Sequence, residues 1–430
     1  MDARHKPGHD ELNRMRRGLE VKDTTADETS ARYEGWRVVA ACFVIAIFGW
    51  GLCFYGQSVF LAELHRIHGW PTSLISTATT FFYLFSAVLV AFVSDAIRRF
   101  GPRLCLVAGV CCLSLSTAAL GRIDAPWQLY AVYVLMAFGW AGLSLGAITT
   151  TLGLWFTARR GMAISLALNG ASCGGVFGVP ILVAAIASVG FATALSVTAA
   201  VTVVVLVPVI MIVMPRQPHG ATLDGNGVPL VTALPSQIRA DAFRNFAFWT
   251  ITISFAMVLL AQVGFIVHLI SYLQPVIGSQ RAGIAVALMT AMAVTGRVLF
   301  STVIDRLNQR KASAVSFASQ AVALLIMINA QNEATVFFAS ALFGFSVGNV
   351  ITLPALIIQR EFDPRSFGVL VSLTGAIGQC FNAFGPGVIG LLRDASGSYA
   401  LPFYGCIGLE LAAAMLIMVR GRSGGAGVSV

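Results

Sequence analysis

The chain has 430 residues, of which 57% are hydrophobic and only 11% charged, with a formal net charge of +9. A soluble domain carries about 25% charged residues, so this deficit excludes a water-exposed globule and fits a surface that faces lipid. The positive excess does not point to nucleic acid, because the basic residues sit in short gaps between apolar segments, where anionic lipid and the insertion machinery read them.

Residues 1–35 mix acidic and basic side chains without an apolar run and predict a disordered, solvated tail. They lack the apolar core and small-residue cleavage site of a signal peptide, so the first apolar span is expected to direct insertion and stay attached. Arg16-Arg17 is followed by acidic and polar residues and does not read as a twin-arginine export signal. Twelve apolar spans follow, near 37–61, 74–94, 104–121, 127–153, 162–186, 190–213, 249–273, 282–304, 313–330, 334–358, 368–392 and 400–419. About 20 apolar residues cross ~30 Å of hydrocarbon as a helix, and an open strand would leave its backbone unsatisfied there. The predicted class is an all-α polytopic membrane protein with twelve transmembrane helices. Residues 214–248, rich in Pro and Gly, form the one long internal connection. The expected units are a tail at 1–35, six-helix bundles at 36–213 and 249–420, a cytoplasmic linker at 214–248 and a second tail at 421–430.

The basic residues fall in every second gap. Counting Arg37, the first residue of span one, with the tail, the tails and the gaps after even-numbered spans hold 23 Lys and Arg, the gaps after odd-numbered spans hold 4, and Arg297 alone lies deep inside a span. Cytoplasmic loops collect Lys and Arg in this way, which predicts both termini on the cytoplasmic side of an inner or plasma membrane. The eight cysteines all fall in apolar segments without a CxxC pair and read as small packing residues.

The two sets of six spans look like copies. Asp95, with Arg98, Arg99, Gly101 and Arg103 behind it, follows span two; Asp305, with Arg306, Arg310 and Lys311, follows span eight at an offset of 210. Gly161 and Gly368 open spans five and eleven 207 apart, Pro180 and Pro386 lie 206 apart within them, and Trp36 and Trp249 open spans one and seven 213 apart. Parallel repeats of six helices are an architecture of secondary transporters, with the substrate held between the halves.

The segment Asp95-Ala-Ile-Arg98-Arg99-Phe-Gly101-Pro-Arg103 resembles the loop signature of the major facilitator superfamily, with one extra residue after the Asp and Ala91 where many members carry Gly. Trp155-Phe-Thr-Ala-Arg159-Arg160-Gly161, continuing to Asn169-Gly170 and Gly174-Gly175, is similar to the start of span five in the monocarboxylate and oxalate/formate branch. Gly69-Trp70, His268-Leu-Ile-Ser-Tyr272 and Gly296-Arg297 before Asp305-Arg306 resemble the same branch. The resemblance covers residues 36–420. It implies two parallel six-helix pseudo-repeats, transport by alternating access, a path lined by spans one, four, seven and ten, and a span-eight arginine on the substrate carboxylate.

Arg297 is the leading site residue on physical grounds too. Eight residues before Asp305, it stands ~12 Å of helix rise inside the cytoplasmic end of span eight. A charge at mid-membrane costs roughly 2.5–3.5 kcal/mol, so it is expected to face a cavity or a partner. A guanidinium grips a carboxylate through two parallel hydrogen bonds; the alternative is a structural pair with a helix end or with Glu410. Span eleven offers Ser372, Thr374, Gln379 and Asn382 but no base, where oxalate-exchanging relatives add a second cation. One fixed positive charge favours monoanions over dianions.

Glu410, halfway along span twelve, is a candidate proton carrier or a neutral packing residue. His268 and Tyr272 are four apart on span seven and share a face with Phe265, so they can line the path and gate or relay a proton, or form an interfacial pair. Span one offers Trp50, Phe54, Gln57 and Leu61 at helical spacing with Tyr55 beside them. Span four offers Trp140, Ser144 and Thr151, and span ten Asn349 and Thr352. A mostly apolar pocket with a few directed polar groups suits a small organic ligand, although aromatic stripes also serve packing. The Gly-rich stretches at 170–178 and 375–390 lack the GxxxxGK[ST] pattern and read as close helix contacts. Asp95, Arg99, Gly101, Arg103, Asp305 and Arg306 read as a conformational latch at the inner face. A carboxylate at a helix C-terminus needs nearby cations, and the arginines supply them.

Together these residues predict a secondary carrier of a small organic monoanion, coupled to protons, with exchange equally permitted. No cofactor, metal or nucleic acid is expected; the partners are the organic anion, the proton and the bilayer. The rival is an exporter of neutral or hydrophobic compounds in which Arg297 is structural. A membrane sensor would want a folded output domain, and an embedded enzyme would need clusters of His, Asp or Glu that these spans do not carry.

Overall fold

The computed structural model describes residues 28, 30, 33–156, 159–214, 235–301, 307–363 and 366–419. Among them, twelve helices are long and apolar enough to cross a membrane. They are α1 (Gly35–His68), α2 (Thr72–Phe100), α3 (Pro102–Leu120), α4 (Pro126–Gly153), α5 (Arg160–Val189) and α6 (Phe191–Val213) in the first half. The second half has α7 (Phe246–Ile277), α8 (Ser279–Phe300), α9 (Gln309–Ile328), α10 (Glu333–Glu361), α11 (Val369–Ser396) and α12 (Ala400–Met418). A short helix, Pro235–Arg244, lies within the stretch read as linker. Most of both expected tails, together with Asp305 and Arg306, lies outside the described residues.

Several helices outrun their apolar runs. α1 continues past residue 61 to His68, and α2 past residue 94 to Phe100. Hydropathy marks the hydrocarbon thickness, whereas a helix continues into the interface until its backbone is capped. The ends have local causes. Asn245 Oδ1 accepts from the N–H groups of Ala247 and Phe248, Asn308 caps α9 through Arg310 and Lys311, and Asn332 caps α10 through Thr335. Pro102 and Pro126 open α3 and α4, where a missing N–H costs nothing. Gly101 ends α2 at φ 83° and ψ 155°, a conformation open in practice to glycine alone, so the Gly of the latch motif sets a sharp α2–α3 corner.

Within each half the same partners pack: α1 with α5, α2 with α4 and α3 with α6, then α7 with α11, α8 with α10 and α9 with α12. Glycine brings these backbones together. A Cβ on Gly170 of α5 would lie 2.0 Å from the Phe43 carbonyl of α1, and one on Gly385 of α11 would lie 2.3 Å from the Leu260 carbonyl of α7. Such small-residue contacts drive helix association in lipid, where apolar burial gives little preference.

The halves touch along three seams: α2 with α11, α5 with α8, and α1 with α7. On α11 the stripe facing α2, Gly390, Gly387 and, one turn on, Ala383, is buried, while its continuation at Gln379, Gly375 and Ser372 is exposed. The apolar core divides in the same way. One buried cluster runs through the first half and into the second, reaching Phe265, Ala285, Phe343 and Phe403. A separate cluster around Phe248, Phe255, Phe317 and Leu353 belongs to the second half alone. The halves are joined at the end bearing the Lys- and Arg-poor turns, called the far end below. They part toward the basic end.

Candidate functional site at the junction of the halves

Four of the helices that meet at the centre are interrupted. α1 contains a π-helical turn at Gly51–Tyr55 and α5 another at Gly174–Gly178. The two face each other: a Cβ on Gly174 would lie 2.8 Å from the Gly51 backbone nitrogen. α4 breaks at Ser144, whose ψ of 171° is extended. The Ser144 hydroxyl donates to the Ala141 carbonyl at 2.9 Å and accepts from Ala147 N–H at 3.4 Å, so it serves both sides of the break. α10 breaks at Ile351 and Thr352, just before Pro354, which has no N–H to give. Ser144 and Ile351 are 207 apart, the offset of the repeat. π turns gather at functional sites, and broken helices line the substrate sites of carriers.

The π turn in α1 divides the expected aromatic stripe. Trp50 packs edge-on against Trp140 at 4.8 Å, and Phe54 packs against Tyr55 at 5.0 Å. Gln57 is fully buried and turned into the first half: its Nε2 donates to Met136 Sδ at 3.5 Å and its Oε1 accepts from Thr79 at 3.4 Å. Leu61 is buried as well. Tyr55 goes the other way. It meets Thr290 of α8 and lies within electrostatic reach of Arg297, so a first-half side chain shares the field of the second-half cation. Gly175 of the α5 π turn completes the wall, since a Cβ there would lie 2.7 Å from Thr290 and 2.9 Å from the Tyr55 ring.

Arg297 is half-buried, and its Nε donates to the Gly348 carbonyl at 3.3 Å. Among the described residues no Asp or Glu forms an ion pair with it. Glu410, the alternative partner, is fully buried in α12, and neither of its carboxylate oxygens has a hydrogen bond among the described residues. Asn349 follows Gly348; its Nδ2 donates to Phe345 O at 3.4 Å and its Oδ1 has no partner there. Thr151 is buried in α4, and Thr352 stands exposed at the α10 break.

His268 and Tyr272 lie elsewhere, among aromatic residues of the second half. His268 is fully buried, with Nε2 3.0 Å from the Pro386 carbonyl and Nδ1 3.2 Å from the Tyr399 hydroxyl. A carbonyl only accepts, so Nε2 carries the hydrogen and Nδ1 accepts from Tyr399. Burial pushes the Tyr399 phenol up to about 12, which keeps that proton in place. Tyr272 donates to the Met327 carbonyl at 3.1 Å and packs against Tyr399 and Phe403. Phe265 packs against Phe343 and Phe403.

At the basic end Asp95 pairs with Arg98 at 2.5 Å, both exposed, and Arg99 lies over the Phe100 ring. Arg103 Nε lies 3.0 Å from Met211 Sδ. Tyr33, before α1, donates to the Trp155 carbonyl and packs edge-on against Phe156. Burial and then the charges of Glu28 and Glu34 raise its phenol, so it stays a donor. The second half has a buried counterpart that its sequence did not reveal. Arg310 forks onto Glu361 with two bonds of 2.7 Å, and its Nη1 donates to Thr250 Oγ1 and to the carbonyls of Ile417 and Val419. Thr290 and Gly348 were likewise unmarked, and Gly175 was read only as part of a close helix contact; Thr290's one signal was its place seven residues before Arg297, on the same face of α8.

The model of the Major Facilitator Superfamily matches residues 39–280. The chain belongs to the major facilitator superfamily. It is 26% identical over 396 residues to the uncharacterized MFS-type transporter YcxA of Bacillus subtilis (strain 168), covering 88% of this chain and 93% of that one. It is 26% identical to MFS-type transporter 1 of Ophiocordyceps sp. (strain BCC 1869), over 79% of this chain and 74% of the other. Among solved structures, a bacterial homologue of the human lysosomal transporter Spinster superposes with a TM-score of 0.69 at 14% identity, over 90% of this chain and 95% of that one. The nucleoside transporter NupG superposes with a TM-score of 0.70 at 12% identity, over 90% and 98%. This superfamily member is an integral, multi-pass membrane transporter with twelve transmembrane helices in two six-helix repeats.

Proposed function

We propose that the chain is a secondary active carrier of small organic monoanions, monocarboxylates in kind, working by alternating access with Arg297 as the carboxylate receptor. The observation that carries this reading is an arginine at the junction of the halves that no described carboxylate neutralises, faced by Tyr55 from the opposite half. A guanidinium beside a hydroxyl offers a carboxylate two parallel N–H donors and one O–H donor. The aromatic wall of Trp50, Trp140 and Phe54 suits a short apolar tail. Asn349, next to the Gly348 carbonyl that orients Arg297, supplies a further polar group.

The bodies that rock are residues 36–213 and 249–420, joined by the linker at 214–248. With both termini in the cytoplasm, as the Lys and Arg pattern supports, the parted basic end is the inward face and the structure is inward-open. Asp95, Arg99, Gly101 and Arg103, with Asp305 and Arg306, form the inner latch; among the described residues Asp95 pairs with Arg98 of its own helix. Coupling is to protons, because a carboxylate that enters with one proton moves no net charge. His268 is the favoured coupling group: it bonds α11 at Pro386, beside the α2 seam. Glu410, in peripheral α12, is the other candidate.

Uptake of a labelled monocarboxylate into proteoliposomes tests the reading. Arg297→Leu should reduce uptake to the protein-free background with normal expression and folding, and Arg297→Lys should restore only part of it, since the planar fork is lost. Wild-type uptake by Arg297→Leu would instead favour a carrier of neutral, apolar compounds, which the aromatic wall also suits.

A further inference from the structure

Asp394 reaches from the last turn of α11 in the second half to the first turn of α2 in the first, where its Oδ2 accepts from Ser73 N–H at 2.6 Å. The N–H groups of a helix's first turn have no acceptor within the helix, and they carry the positive end of its dipole. The residue at the cap position of α2 is Pro71, whose side chain cannot accept a hydrogen bond. The cap therefore comes from the opposite half. Arg393 Nη1 donates to Asp394 Oδ1 at 2.8 Å, which leaves Oδ2 for Ser73. The same guanidinium lies 5.8 Å over the Tyr399 ring, and the Tyr399 hydroxyl bonds His268. One turn deeper the seam is tight: Gly387 N–H donates to Thr80 Oγ1 at 3.0 Å, and a Cβ on Gly390 would lie 1.8 Å from Ser76 Oγ.

We propose that Asp394 is the latch of the outer gate. Its carboxylate supplies the cap that α2 lacks, holds the outward face shut while the inward face is open, and must leave Ser73 before the outward face can open. The latch rests on the alternating-access reading above and is independent of the substrate class.

The test uses the full chain in proteoliposomes, with its eight cysteines replaced and one cysteine introduced as Thr80→Cys, a seam position that is buried here. Labelling of that thiol from the outer side by an impermeant maleimide is proportional to the open fraction of the outer seam. Asp394→Asn should raise the labelling rate about tenfold or more, the scale of one lost charge-assisted hydrogen bond. Ser73→Pro removes the donor N–H in a first turn that tolerates proline, and should do the same. The double variant should label no faster than either single one, because both remove the same contact. Asp394→Glu, which keeps the charge, should retain slow labelling. Unchanged labelling in Ser73→Pro, or additive effects in the double variant, would overturn the latch, and the Ser73→Pro arm decides if Asp394→Asn fails to fold. Labelling needs no substrate, so a wrong substrate class leaves this result standing, and a failed latch leaves the uptake result standing.

Discussion

The two ends of α2 meet opposite fates. At the far end its first turn is capped by Asp394 of the other half, and Ser76 and Thr80 lie against the glycines of α11. At the basic end its last turn carries Asp95, which pairs with Arg98 of the same helix in solvent. The second half behaves likewise at that end: Arg310 is spent on Glu361 and on the carbonyls of α12, all within its own bundle. Polar contacts at the far end therefore join the halves, whereas those described at the basic end stiffen each half by itself. Two bodies joined toward one end can rock; a charge network crossing both ends at once would lock them.

The sharpest way to break this comparison is to remove Glu361. Arg310 is only 3% exposed, and stranding a buried charge costs about 3–5 kcal/mol. Glu361→Ala should lower the thermal unfolding temperature of the purified protein substantially. Arg103, at the matching position of the first half, is only partly buried, and among the described residues it bonds a methionine sulfur and forms no ion pair. Arg103→Ala should cost less than about 1 kcal/mol. Equal shifts for the two variants would show that the basic end is not held within the second half in this way.

A wedge at the far end comes next in size. Gly390→Val would put branched carbon where a single Cβ already lies 1.8 Å from Ser76 Oγ and 3.1 Å from the Ser73 Cα. Overpacking of this kind costs about 1–3 kcal/mol, which here falls on the closed seam alone. Labelling of Thr80→Cys from the outer side should rise between about fivefold and a hundredfold, with folding intact. A rate unchanged from wild type would mean that the α2–α11 contact does not close the outer face.

How far the sequence foretold this molecule depended on how local each signal was. Twelve spans, their repeat and the Arg297 position followed from hydropathy, charge and spacing, because the bilayer imposes one rule on every segment. The stripe of Trp50, Phe54, Gln57 and Leu61 did not survive as one face, since a π turn at Gly51–Tyr55 shifts the register and no residue there announces it. The break at Ser144 was equally silent: an ordinary serine became a cap only because the backbone around it turned extended. His268 and Tyr272 share a helix face as spaced, yet that face looks into the second half rather than toward Arg297. Asp394 drew no notice in the sequence, because its partner is a backbone N–H 321 residues away. Contacts that join two halves through backbone atoms leave no pattern in either half.

The smallest expected effect belongs to the charge that the sequence marked most plainly. Asp95 and Arg98 are 68% and 70% exposed, so solvent screens their pair and its loss should change stability by less than about 1 kcal/mol. Among the described residues the ion pair of Asp95 is with Arg98 of its own helix, so on the inward-open reading proposed above Asp95→Asn should leave labelling of Thr80→Cys from the outer side within about twofold of wild type or below it. If Asp95 latches the opposite, outward-open state, its removal can only shift the balance toward the state seen here. A marked rise in outer labelling on Asp95→Asn would mean that Asp95 stabilises the inward-open state instead. The two ends of α2 would then not be alternating latches.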